Sequence, residues 1–465
     1  VATDLSTRTQ PLTYADALHL MRRATLHPTH DGAMALVGKS PSDAVRDLLD
    51  RGTDPVLPAW ASMAPDPNIT FSDAARRWPE IQLWWADKLA TEPSVRERMV
   101  LFWHNHFTSD YITVYYGQFS IRQNALQRSY ALGDFAEFSK KMIGDPAMLI
   151  FLNGNLSVKG NPNENFAREW FELFSLGIGN YTENDIVEAS RAFTGWRISG
   201  LNGTYTSQLS DLGAKTIFGQ TGSWTYEDVV RITLAQPACA RYLATKLLRT
   251  FVQYYPTDDD VTALAAEITA KNFVIKPVLQ TLLSSELFLD QRVRGALIKA
   301  PADLVIGLAT SLSYNAMQRD LLISSMAKLN QELFYPPTVE GWKGHHAWIT
   351  SSTFPSRQRF GENLVNGKAT DGTQIKDTTG KAITPDLVAL VKKMCVTPND
   401  PVAVVDALTT YLLSVPITSE QRVVLKEILL QSRPDYEWTI DAAFAPTYLR
   451  LFMQAVVRMP EFQLM

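Results

Sequence analysis

Residues 94–107, SVRERMVLFWHNHF, constrain the fold more than any other stretch. Ser94 and Glu97 have the spacing of a capping box, so a helix starts there. On that helix large apolar side chains occupy almost the whole circumference, and a helix that is apolar all round is buried. Other elements must therefore surround it. His104, Asn105 and His106 then lie inside the protein, where each needs a hydrogen-bond partner. Three roles fit them: satisfied core side chains, the wall of a polar pocket, or a metal site. The third is the weakest on geometry, because residues at i and i+2 do not share a helix face.

A second stretch, residues 161–196, reads as two helices joined by a glycine hinge. Asn161 is placed to cap the first helix, with Pro162 at its first position and Glu164 three residues after the cap. Phe166, Trp170, Leu173 and Phe174 form one apolar stripe. Gly177 and Gly179 end the helix. Thr182, with Asp185 three residues on, caps a second helix that turns Ile186, Ala189, Ala192 and Phe193 inward. The other face of the first helix carries Glu164, Asn165, Arg168, Glu169 and Glu172, and no Lys. This face is the candidate working surface. The plain alternative is a ladder of i, i+4 ion pairs. Glu169 sits at the edge of the apolar stripe, where partial burial raises a carboxyl pKa toward that of a general acid. The economical arrangement packs the two stretches together, with His104 or His106 within hydrogen-bond reach of Asn163, Glu164, Arg168 or Glu169, directly or through one water.

Elsewhere the period is mostly that of helices, which predicts a mainly α fold with less than about 15% strand. Residues 1–465 read as one large helical domain. Residues 197–226, rich in Gly, Ser, Thr and Asn, are an irregular or hairpin excursion, and residues 366–384 a surface loop insertion. Hydrophobic residues make up 46% and charged residues 20% of the chain, enough to bury a large core. The net charge of −4 argues against a nucleic-acid binder. No apolar run approaches the roughly 18 residues of a membrane span. Cys239 and Cys395 allow at most one disulfide and no cysteine-based zinc site. The start Val1-Ala2-Thr3 suggests a processed N-terminus whose signal peptide has been removed. No nucleophile-elbow, phosphate-loop or zinc-protease motif is present. Two of the 11 Trp, Trp196 and Trp342, are candidates for stacking on sugar rings.

Several pieces taken together resemble a bacterial family called domain of unknown function 1800. They are residues 99–107 (MVLFWHNHF), 145–149 (DPAML), 159–196, 215–222 (KTIFGQTG), 234–241 (LAQPACAR), 336–342 and 460–463 (PEFQ). The resemblance implies export to the periplasm or beyond, and a second secreted protein encoded nearby as a partner. The chain departs from the pattern at Ser210-Asp211, where His-Asp is expected, and at residues 348–351, WITS, where Trp-Leu-Asn-Ser is expected. No residue here takes over that His. Two functions remain open. One is a hydrolase acting on a glycan or other extracellular polymer. In it Glu169 or Glu164 is the acid, while Asn163, Arg168, His104, Asn105 and His106 contact substrate and Trp196 or Trp342 stacks on it. The other is a secreted binding or assembly protein whose polar residues form a rigid internal network. A metal-dependent enzyme using His104 and His106 is a third reading. Cofactor and metal are left unassigned.

Overall fold

The computed structural model describes residues 4–314 and 316–465. Residues 1–3, on which the reading of a processed start rests, lie outside them. The chain is 57% helical, and among the described residues its named strands form two small antiparallel hairpins. Helices dominate because apolar residues recur at helical spacing and caps are frequent. The Val95–His106 helix begins at Ser94, whose side chain accepts the Glu97 N–H. Met99, Val100 and Trp103 on it are fully buried. One continuous cluster of buried apolar residues extends from Leu12 to Phe462, and this helix lies within it.

The second stretch follows the expected outline with two shifts. Its first helix, Glu164–Glu169, is capped by Asn163 rather than Asn161. Asn163 accepts the Asn165 and Phe166 N–H groups, while its amide nitrogen donates to Leu152 O and Asn153 O. Asn161 is instead held in a bridge to Val158. From Trp170 to Ser175 the helix widens to a π turn, in which the Leu176 N–H bonds Phe171 O at 2.8 Å. Such a turn departs from the 3.6-residue period, yet Glu172 stays 3.8 Å from Arg168. The helix Glu183–Ala192 starts with the full Thr182–Asp185 capping box, and Ile186, Ala189, Ala192 and Phe193 are buried.

The excursion holds two hairpins: Trp196–Ser199 with Asn202–Tyr205, and Lys215–Ile217 with Gln220–Gly222. Residues 366–384 form a mostly exposed loop, pinned to the core by Ile375 and by short bridges. The helices Phe71–Ala75 and Arg77–Thr91 are separated at Arg76. Pro79 sits in the first turn of the helix Arg77–Thr91, where its missing N–H has no intrahelical acceptor to lose. Cys239 and Cys395 are both buried and free.

Candidate functional site

The three polar residues of the buried helix point three ways, and each fastens a different backbone segment. His104 Nε2 accepts the Phe334 N–H at 3.2 Å. Asn105 Oδ1 accepts the Trp342 N–H at 2.6 Å, and its Nδ2 donates to Trp342 O at 3.2 Å. His106 Nε2 donates to Phe174 O at 3.1 Å. His104 and Asn105 thus hold the two ends of the loop 334–342, and His106 holds the end of the π turn. Burial pushes His104 down to about 3 and His106 well below its ordinary value, so both imidazoles are neutral. Among the described residues neither histidine makes a direct hydrogen bond to Asn163, Glu164, Arg168 or Glu169. The two stretches do pack together, but through a carbonyl rather than a carboxylate. The two histidines also do not share a ligand position, and no cluster of three or more His, Cys, Asp or Glu suited to a metal occurs among the described residues.

These contacts shape a cleft of about 620 Å³. One wall is the Val95–His106 helix, with Arg98, Phe102 and Asn105. A second is the π turn, with Glu172 and Leu173. The helix Pro237–Phe251 supplies Tyr242, Lys246 and Arg249, and the loop 340–348 supplies Glu340, Trp342, His345 and Trp348. Segments far apart in the chain therefore meet at one opening, as ligand sites commonly do. Gly341 makes one approach possible. Its φ is +80°, and a Cβ there would lie 2.2 Å from Asn105 Oδ1. Gly344 and His345 also have positive φ. The loop conformation is thus unusual at three positions.

The charges in the cleft are unequally matched. Arg98 pairs with Asp303 at 2.6 Å and also donates to Arg22 O and Thr25 O. Glu172 accepts the Tyr181 hydroxyl and lies 3.8 Å from Arg168. Arg249 Nε donates to Tyr254 O, and its guanidinium lies 5.3 Å from the Tyr254 ring centre. Lys246 Nζ has no hydrogen bond or ion pair among the described residues. It lies 5.3 Å from the Tyr242 ring centre. Burial, with Arg249 adding to it, pushes Lys246 down to about 7.

The residues singled out from sequence are divided by the structure. Asn105 and Trp342 line the cleft; His104 and His106 anchor its walls from behind. Trp342 is only 6% exposed, which leaves little ring surface for stacking. Glu169 is half-buried and outside the lining, yet burial and then the charges of Glu172 and Glu340 raise its pKa. Glu164 is exposed at the helix start, Asn163 is spent as the cap, and Arg168 is clamped by both oxygens of Glu183 at 3.0 and 2.7 Å. Trp196 is packed on Gly144, between Tyr205 and Tyr226, away from the cleft. A contact of Asn163, Arg168 or Trp196 with substrate is therefore not supported. Sequence reasoning passed over Lys246, Arg249 and Glu340. The spacing of Tyr242, Lys246 and Arg249 at i, i+4 and i+7 was the available signal, a polar stripe on an otherwise apolar helix.

No helix among the described residues is long and apolar enough to cross a membrane. No curated protein matches the chain, and no solved structure does. A family model described as "Protein of unknown function (DUF1800)" matches residues 19–464, nearly the whole chain, and the protein belongs to that family.

Proposed function

We propose that the protein is an exported hydrolase that cleaves a glycan or other extracellular polymer in the Lys246 cleft. The observation that carries this reading is the convergence of four distant segments on one open cleft lined by Glu172 and Glu340, with half-buried Glu169 outside the lining. Burial first, and then the charges of Glu172 and Glu340, makes Glu169 hold its proton to higher pH than a free carboxyl. Environments that separate the pKa values of neighbouring carboxyls assign one as acid and another as base or nucleophile, the division of labour in glycoside hydrolysis. Glu169 is the acid, and Glu172 or Glu340 its partner. Tyr254 and His345, stacked 4.3 Å apart at the cleft, offer ring surface in place of Trp196. Export draws on the family resemblance, as does a secreted protein partner. A precursor found in the cytoplasm with no cleaved leader counts against export.

The test is release of new reducing ends from a panel of polysaccharides by the purified full chain. Glu169→Gln, Glu172→Gln and Glu340→Gln are each made. Loss of turnover by about 100-fold or more in Glu169→Gln, with folding intact, supports the reading. No release from any polymer, or an unaffected Glu169→Gln, sinks it. A binding or assembly protein without catalysis is the second reading. It is favoured by the structural employment of His104, His106, Asn163 and Arg168, and it predicts retention of polymer without release of ends.

A further inference from the structure

We propose that Lys246 and Arg249 form a subsite for an anionic group on the ligand: a carboxylate, sulfate or phosphate carried by a sugar chain. This rests on the reading of the cleft as a polymer site and names the class of polymer.

Lys246 and Arg249 lie three residues apart on one face of the Pro237–Phe251 helix, and both line the cleft. Lys246 is half-buried and Arg249 exposed at the opening, and two like charges so placed repel one another. Structural lysines in such positions are met by a carboxylate, and here none meets it. Asp303 is committed to Arg98, and Glu172 accepts from Tyr181 with Arg168 nearby. Glu340 is exposed at the rim. Arg249 is held at Nε by Tyr254 O and has its ring face on Tyr254, while its terminal nitrogens bond nothing else among the described residues. A planar guanidinium fixed at one nitrogen presents the others as a fork suited to an oxyanion. A negative ligand group in the cleft would offset the repulsion of the two cations and favour the charged form of the amine, and the low-dielectric walls strengthen that attraction.

The experiment is calorimetric titration of the full chain with oligomers that differ in charge. The probes are an oligogalacturonate, its methyl ester, a chondroitin sulfate oligosaccharide and a poly(glycerol phosphate) oligomer. At least one anionic probe is expected to bind about tenfold or more tightly than the uncharged methyl ester, with affinity falling as salt is raised. The tightest of the three identifies the anion. Lys246→Met and Arg249→Met should each weaken that probe about tenfold or more, and Lys246→Arg should keep most of the affinity. Lys276→Met, on an exposed lysine paired with Asp50, should change nothing. Unfolding curves guard against misfolded variants, and Lys246→Met is expected to melt no lower than the parent chain. The proposal is overturned if the methyl ester binds as well as the free acid, if Lys246→Met binds normally, or if no anionic probe binds. Anion binding without release of ends leaves this subsite standing and rejects the hydrolase. Cleavage of neutral glycans alone does the reverse.

Discussion

Asn105 and Trp342 are 237 residues apart in the chain and hold each other by two hydrogen bonds, side-chain amide to backbone N–H and C=O. The pair fixes one wall of the cleft to the buried Val95–His106 helix. Asn105→Ala would leave both backbone groups of Trp342 without their partner, and a loss of ~1–3 kcal/mol is expected. Gly341→Ala should cost at least as much, because it adds a clash with Asn105 to a backbone at φ +80°. Urea unfolding measures both. A change under about 0.5 kcal/mol in either would show that the loop is held by something else.

Glu97 and Arg128 make a salt bridge with both partners nearly inaccessible. Arg128 donates to Glu97 Oε1 and Oε2 and to Asn124 Oδ1. Removal of one partner strands a buried charge. Arg128→Met is expected to destabilise by ~3–5 kcal/mol, and the double variant Glu97→Leu with Arg128→Met by much less. If the double variant is as unstable as the sum of the two single ones, packing rather than charge is the cause.

Lys246 gives a pH signature. Its folded-state value is about 7 against an ordinary 10.5, so between those values the unfolded chain binds more protons. Stability contributed by this group therefore rises with pH across that window and is lowest below it. The charges arranged around it are Arg249 on its own helix, Arg98 and neutral His106 on the buried helix, and Glu172 on the π turn. Glu340, Lys343 and His345 of the loop and Asp303 line the same cleft. Lys246→Met should raise the melting temperature at pH 7 and flatten the rise above it. An unchanged pH profile would place the amine in water.

Glu169 has the opposite sense. Its folded-state pKa is raised, by burial first and then by Glu172 and Glu340. Its contribution is fully present below the unfolded pKa near 4.5 and is lost as pH rises through the folded one. Glu169→Gln should flatten that loss and leave the melting temperature at pH 7 equal or higher. A clear drop at pH 7 would mean that the carboxylate is held by donors, as a structural residue is.

What the sequence determined by itself is what depends on near neighbours. Ser94 and Thr182 cap their helices because a cap needs only the next three residues. The apolar circumference of residues 95–107 places that helix in the core, since burial follows from composition of the whole surface of the element. The family pieces were legible for the same reason, as ordered strings. The tertiary structure decided the partners. Asn163 outcompetes Asn161 as cap because Leu152 O, Asn153 O and Ser157 also hold it. The π turn from Trp170 to Ser175 is a change of period that a 3.6-residue template does not contain, and Glu172 rather than Glu169 lines the cleft. His104 and Asn105 find acceptors and donors more than 200 residues away. Lys246 reads in sequence as one more lysine on an amphipathic helix. Only the folding of three other segments around it half-buries the residue without pairing its amine to a carboxylate, because solvation and pairing are properties of everything that surrounds a charge and not of the segment that carries it.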